Sequence, residues 1–283
     1  MANEVTTDSG SAGELVPAIV EREVIQEARA AVVIAPRVRQ RSLVGVPGVS
    51  VDFPVWPTLS AAAVSEGSDL ANTAVNTTKV TLTASEVGVM ILVKDLLAES
   101  DVLAELSENS EYAQLLGRAL AAKLDTDLAA LFAGLNGGTP VGTSGSDLTV
   151  DIFLEALFTL ENNNARPPYH CVLHPVQYGD LRSSIKGATG MSFGAAEMIQ
   201  TGQVGTLFGV EVAQTSVCPT ANSAADRVGS MFSSDAIGLL TKRPPRIELQ
   251  RDASARGTEL VATVAYGVGE LVDTAGVALI TDA

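Results

Sequence analysis

His170 and His174 come closest to a chemical site, because they are the only histidines and they flank Cys171 in the pattern HCVLH. A spacing of four residues places both imidazoles on the same side of a helix or a strand, where they could ligate zinc. The sequence supplies no third histidine and no HExxH glutamate. The segment YHCVLHP is also typical of a strand that ends at a proline-led helix, so we expect a structural role for both residues.

Cys171 and Cys218 are the only thiols, and each lies in an apolar segment typical of a strand. A cysteine acts as a nucleophile only when a neighbouring base activates it, and a buried cysteine is usually inert. Two cysteines make no disulfide framework and fit a reducing compartment. We therefore expect both thiols to be buried and unreactive.

Motifs for phosphate binding and acyl transfer are missing. The sequence contains no GxxxxGK(S/T) loop and no GxGxxG between a strand and a helix, and Ser144 in GTSGS departs from the GxSxG nucleophile elbow. Carboxylate pairs such as Asp125 with Asp127, or Glu108 with Glu111, predict only a solvated helix face. We predict no catalytic residue, no metal ligand and no cofactor, and we expect that the protein is not an enzyme.

The charge excludes further classes of function. The 283 residues carry a net charge of −15, which opposes binding to nucleic-acid phosphates and to anionic membranes. The most apolar segment, residues 260–280, is interrupted by Glu270 and Asp273 and is not expected to span a bilayer. The acidic start lacks a signal-peptide pattern, so a soluble cytosolic product is expected. Hydrophobic residues make up 46% of the chain but aromatics only 4%, and such a chain often hides apolar surface against other subunits.

One concentrated positive feature stands out. Arg37, Arg39 and Arg41 alternate along the chain, so an extended strand would place all three on one face. The interpretation favoured here is a patch that pairs with an acidic neighbouring subunit, and the alternative is a solvated strand edge.

The elements that would position these residues begin with extended segments. Residues 1–14 are expected to be mobile, and residues 17–31 predict an amphipathic helix. The segments 49–57 and 79–93 alternate as strands, and the parity of the second changes as a β-bulge at Gly88 would require. Residues 49–94 therefore predict a long two-stranded arm, which must lie on something because an isolated hairpin is marginal in water.

A long helix follows the arm, from Ser110 to Gly138. Its apolar face is formed first by Tyr112, Leu115, Leu116 and Ala119, and then by Leu124, Leu128, Leu131 and Leu135. The second face lies about a third of a turn from the first, which predicts a helix that packs on different elements at its two ends. Asn136-Gly137-Gly138 is expected to end it. Beyond it, residues 149–163 and a segment from Pro175 predict helices, residues 169–174 a strand and residues 187–194 a glycine-rich loop. Further strands are expected to close an α+β chain.

This order of parts resembles the major capsid proteins of tailed bacteriophages, whose fold is named after phage Hong Kong 97. The spine helix of that fold resembles LLGRALAAKLDTDLAALFAG, and its axial domain resembles CVLHPVQYGDL and LFGVEVAQTSVCP. The resemblance implies an N-terminal arm (1–48), an extended β-hairpin loop (49–94), a peripheral domain with the spine helix (95–146), an axial domain (147–240), and C-terminal strands that return to the peripheral domain (241–283).

The resemblance also implies a function. A structural major capsid (head) protein would self-assemble into hexamers and pentamers of an icosahedral shell, enclosing phage DNA without sequence-specific binding. It would belong to the virion and be assembled in the cytoplasm of the host bacterium. Some members cross-link subunits through a lysine of the hairpin loop, but here Lys79 lies at the base of the return strand, so no cross-link is expected. Residues 1–14 are too short for a built-in scaffold, so a separate scaffolding protein is expected, besides a portal and decoration proteins.

Three alternatives stay open at this stage. An encapsulin, a bacterial nanocompartment protein, uses the same fold to enclose an enzyme, and genome context would separate the two. A metal-dependent enzyme built around His170 and His174 is a rival of a different class. A minor head or tail-tube protein is the third, although tube proteins are usually shorter β-rich chains without a spanning helix.

Overall fold

The computed structural model of the chain describes residues 32–57, 74–95, 111–187 and 205–282, together with residues 59–61, 63, 64, 67, 69 and 72 of the loop between the hairpin strands. The predictions for residues 1–31, for Glu108 and for most of the glycine-rich loop lie outside the described residues. No helix in the described ranges is long and apolar enough to cross a membrane.

The first of two larger sheets has four strands. In spatial order it contains β1 (Arg39–Ser42), β10 (Ile237–Asp252), β11 (Gly257–Glu270) and β4 (Ser85–Lys94), numbered by their place in the chain. Strand β11 is antiparallel to both of its neighbours, and β1 runs parallel to β10. Helix α1 (Glu111–Ala129) packs against β4 and β11. Alternate residues of β4 join the core beneath this helix, while Met90 and Leu92 are exposed on the opposite face.

The second sheet has six strands. It contains β12 (Gly276–Asp282), β9 (Asp226–Ser233), β5 (Tyr169–Leu173), β7 (Val210–Gln214) and β6 (Thr206–Leu207) in spatial order, and β8 (Thr220–Ala221) pairs with β9. Helices α2 (Val150–Asn162) and α3 (Pro175–Gly187) bury Phe153, Leu160 and Leu181 against one face. The other face shares a core with the first sheet, where the rings of Phe132 and Phe232 lie 5.8 Å apart. This second sheet is therefore the middle layer of the structure.

The hairpin is shorter than predicted. Strands β2 (Ser50–Val55) and β3 (Thr78–Thr83) form a separate two-stranded sheet, in which Phe53 and Leu82 are buried against Leu240 and Leu271. The return segment breaks at Ala84, and its continuation β4 pairs with β11. The alternation of apolar residues changes parity because β3 and β4 pair with different strands. Gly88 itself stays in regular register with Thr263. The predicted bulge at Gly88 is wrong, and so is a two-stranded arm that reaches residue 94.

The spine helix has one continuous buried face. Leu116, Leu120 and Leu128 are buried, and their row winds around the helix by about 40° at each step of four residues. The buried face therefore rotates gradually along the helix and does not change at one point. The predicted burial of Leu115 and Ala119 is wrong, because both residues are exposed.

The two ends of the helical segment nevertheless contact different elements, as predicted. Helix α1 packs on the first sheet, whereas a 3₁₀ turn at Phe132–Gly134 contacts β9 and β12 of the second. The α-helix itself ends at Ala129, so the predicted end at Asn136-Gly137-Gly138 lies too far along the chain. The backbone φ is positive at these three residues, which follow the 3₁₀ turn.

The C-terminal strands are divided between the two larger sheets. Strands β10 and β11 do return to the four-stranded sheet, but β12 pairs with β9 of the six-stranded sheet. Residues 241–282 therefore contribute strands to both sheets.

Candidate assembly surfaces and polar clusters

His170 and His174 do not share a site. His170 stands on β5, with Nδ1 3.1 Å from Glu211 Oε2 and Nε2 3.2 Å from Ser234 Oγ. His174 follows the end of β5, and its Nδ1 accepts a hydrogen bond from the backbone N–H of Val176 at the start of α3 (3.3 Å). Across the described ranges, no group of three or more metal-ligating side chains comes together. The strand-to-helix interpretation of YHCVLHP is confirmed.

The partners of His170 form a chain of polar groups that the sequence did not reveal. Glu211 and Ser234 are 41 and 64 residues away from His170, and the second Glu211 oxygen lies 2.5 Å from Arg37 Nη2. Partial burial raises the pKa of Glu211, but the hydrogen bonds and charges of Arg37 and His170 outweigh it and hold that pKa below its usual value. The imidazole of His170 lies between a serine hydroxyl and a glutamate carboxylate, which is the hydrogen-bonding order of hydrolase triads. The spacing of HCVLH gave no signal for these contacts, because none of them is local.

The two cysteines are buried, as predicted. Cys171 is completely buried in the core under α2 and α3, and Cys218 belongs to the core between the sheets. Burial raises the pKa of both thiols, that of Cys218 to about 12. Neither thiol is ionised near neutral pH, so neither has the thiolate that nucleophilic chemistry requires.

Asp125 corrects the predicted solvated helix face, because its side chain is only 3% exposed. The carboxylate accepts hydrogen bonds from the backbone N–H groups of Val33 (2.7 Å) and Ile34 (3.1 Å). Burial raises the pKa of Asp125, although these backbone donors counteract the effect. The small residues Gly117 and Ala121 precede Asp125 on the same helical row and are buried too, so the chain before β1 passes close to the helix there. The carboxylate therefore holds the backbone of Val33 and Ile34 against α1.

The arginine row is divided between two elements. Residues 35–37 form a 3₁₀ turn, which turns Arg37 away from the strand that follows. Arg39 and Arg41 lie on β1, with their guanidinium groups 6.0 and 5.7 Å from the ring centroid of Phe53. The prediction of one shared face is wrong for Arg37 and holds for the other two.

The most distinctive surface of the described chain is apolar. Large exposed hydrophobic side chains are concentrated on and beside the hairpin, at Val44, Val46, Val49, Trp56, Leu59, Val64 and Val75. Trp56, the only tryptophan of the chain, is 71% exposed. A soluble monomer rarely exposes so much apolar surface in one region, and such surfaces mark contacts with other proteins. We define the apolar hairpin surface as these seven residues.

Comparison of the sequence with known protein families identifies a family whose members form assemblies. A family model described as "Phage capsid protein" matches residues 104–280. The chain belongs to the phage capsid protein family. No curated protein matches its sequence.

Solved structures show the same fold at low sequence identity. A structure from Mycobacterium phage Che8 has a TM-score of 0.70 and 22% identity, over 88% of this chain and 90% of that one. The capsid of the cyanophage P-SCSP1u has a TM-score of 0.67 and 19% identity, over 88% of both chains. The capsid of the Helicobacter pylori bacteriophage KHP30 has a TM-score of 0.64 and 12% identity, over 86% and 88%.

Family and fold together identify the class of protein. The chain is a major capsid shell protein with the Hong Kong 97-like α+β fold, a structural component of the virion that assembles with itself into oligomeric shells. Proteins of this family are structural and not enzymes. The polar contacts of His170 with Glu211 and Ser234 are therefore interpreted as structural. A metal-dependent enzyme and a nanocompartment protein are not favoured.

Proposed function

We propose that this capsid protein forms hexamers and pentamers, which close into an icosahedral shell around phage DNA. The observation that carries the proposal is the apolar hairpin surface, with Trp56 at 71% exposure. The two-stranded sheet beneath it buries only Phe53 and Leu82, which is too little to stabilise a free hairpin. Contact with neighbouring copies supplies the missing burial, and closed symmetry repeats that contact around each capsomer.

The two sheets support a division into capsid domains. We assign the four-stranded sheet with α1 to the peripheral domain and the six-stranded sheet with α2 and α3 to the axial domain. Residues 32–48 then belong to the arm, and residues 49–83 to the extended loop. In this assignment β12 is a strand of the axial domain, since it pairs with β9.

Charge and side-chain pairing support the proposed partners. The net charge of −15 suits a container that holds DNA without binding its sequence and later releases it. Lys79 Nζ lies 2.7 Å from Asp52 Oδ2 on its own hairpin, which supports a shell without lysine cross-links. We propose a separate scaffolding protein, a portal and decoration proteins as further partners, and assembly in the host bacterial cytoplasm.

Sizing of the purified protein tests the proposal. Light scattering and negative-stain imaging should show capsomers or shells, either spontaneously or after addition of the scaffolding protein. The matched comparison is Trp56→Ser against Phe158→Ser, because Phe158 is 62% exposed but lies on α2, away from the hairpin. Trp56→Ser should reduce assembly more strongly than Phe158→Ser does. A protein that remains monomeric under all these conditions would refute the proposal.

A further inference from the structure

Two passages between the sheets lie side by side. Residues 234–236 join β9 to β10, and residues 271–275 join β11 to β12. The Ala236 carbonyl oxygen accepts hydrogen bonds from the backbone N–H groups of Leu271 (2.8 Å) and Val272 (3.2 Å), which ties the passages together. We call this pair of segments the joint. A few residues at the ends of elements can absorb large backbone rotations, so the joint is the place where one sheet can turn relative to the other.

The polar chain of Arg37, Glu211, His170 and Ser234 lies beside the joint. Arg37 comes directly before β1 of the four-stranded sheet, whereas His170 and Glu211 are register partners on β5 and β7 of the six-stranded sheet. Ser234 belongs to the joint itself. The three links measure 2.5, 3.1 and 3.2 Å. The Arg37–Glu211 link therefore connects the edge of one sheet to the other sheet, and the polar chain ends at Ser234 in the segment that would have to rotate.

The surroundings hold these side chains in place. The side chains of His170 and Arg37 are only 12% and 20% exposed, and the imidazole packs 6.3 Å from the ring of Phe232. Arg37 also donates to the carbonyl oxygen of Val33, next to the backbone that Asp125 holds. The Glu211 side chain is 46% exposed, so solvent screens its ion pair with Arg37 in part. Hydrogen bonds between ionised groups are nevertheless stronger than neutral ones, and the partly buried guanidinium reduces the screening. Both terminal nitrogens of the Arg37 guanidinium group are therefore held by hydrogen bonds.

We propose that the chain Arg37–Glu211–His170–Ser234 is a strap that fixes the angle between the two sheets. Removal of the strap leaves both sheets folded, because their cores consist of other residues, and widens the range of angles at the joint within the limit that the core shared by the two sheets sets. In a shell this angle sets the curvature of each subunit. That consequence rests on the proposed function, whereas the strap is a property of the single chain.

Distance measurements between the sheets test the strap directly. Cysteines introduced at Glu161 on α2 and Gln250 on β10, both exposed, would carry spin labels for pulsed electron resonance. The native cysteines are buried and should not compete for the label. Dispersed full-length subunits, with labelled chains diluted in unlabelled ones, report distances within one chain even if no shell forms. A failure of the strap is thereby distinguished from a failure of assembly.

Glu211→Ala breaks the strap. Arg39→Ala is the matched control, because Arg39 also pairs with a residue of the joint, Asp235, but through a longer contact of 3.5 Å between two exposed side chains. Glu211→Ala should broaden the distance distribution, with an unchanged near-ultraviolet circular dichroism spectrum, while Arg39→Ala keeps the native width. A native width in Glu211→Ala overturns the proposal, and so does equal broadening in the control. If Glu211→Ala does not fold, Arg37→Ala removes the same link from its other end and is judged by the same outcomes.

Discussion

Asp125→Ala should destabilise the subunit by detaching the N-terminal arm from the spine helix. The substitution leaves the backbone N–H groups of Val33 and Ile34 without their acceptor. A buried donor left unsatisfied costs about 1–3 kcal/mol, so two such donors cost about 2–6 kcal/mol. The native carboxylate also bears a desolvation penalty, shown by its raised pKa, and its removal offsets part of the loss. We expect a net loss of about 2–4 kcal/mol in the free energy of unfolding.

Urea unfolding of dispersed subunits, followed by circular dichroism, measures this loss as a lower midpoint at an unchanged m-value. Hydrogen exchange should show faster exchange in the peptide that contains residues 32–38. Thr126→Ala is the control, since that exposed neighbour bonds only to its own helix, and it should change the stability by less than about 0.5 kcal/mol. Equal stability of Asp125→Ala and Thr126→Ala would refute the role of Asp125 in holding the arm.

Two further substitutions test other parts of the structure. Gln177 is fully buried, and its side-chain amide donates to the carbonyl oxygens of Arg227 (2.9 Å) and Leu279 (3.2 Å). Gln177→Ala should therefore lower the free energy of unfolding, measured in urea, by about 2–4 kcal/mol. The control Gln250→Ala, at an exposed position, should leave it almost unchanged. A loss below about 1 kcal/mol would contradict this anchoring role. Burial and a hydrogen bond with Asp273 raise the pKa of Glu270 above its ordinary value of 4.5. The stability that protonated Glu270 contributes to the folded state is therefore fully present below pH 4.5, and it is lost as the pH rises through the raised pKa. Glu270→Gln should flatten the decline in stability that the native chain shows as the pH rises above 4.5, and an unchanged slope in urea titrations would count against it.

Local elements were predictable because their signals are local. The periodicity of residues 149–163 indicated α2 (Val150–Asn162), and Thr149 caps that helix by accepting the backbone N–H of Ile152 (3.3 Å). The proline at 175 opens α3. The fold class followed from the order of such elements.

Several of the errors concern partners that are distant in sequence. Asp125 looked solvated because its donors lie 92 and 91 residues away, and no local pattern records them. The parity change near Gly88 was detected, but a bulge and an exchange of strand partners produce the same pattern. The pairing of β12 with the second sheet was equally invisible, because β11 and β12 both alternate as strands do.

The polar strap was only half visible in the sequence. Arg37 and His170 were singled out as a charged row and a possible metal site, and they prove to meet through Glu211. Glu211 was not detectable, since one glutamate in an acidic chain carries no signal of its own. Residue type thus identified groups able to interact, and topology determined which of them meet.

The fluorescence of Trp56 tests most directly the claim that neighbouring copies cover the apolar hairpin surface. Because Trp56 is the only tryptophan, all tryptophan emission comes from this site. Dispersed subunits should emit at the long wavelength of a hydrated indole and be readily quenched by acrylamide. Shells verified by electron microscopy should emit at shorter wavelength and resist quenching. Shells in which Trp56 remains as hydrated and as quenchable as in free subunits would contradict the account.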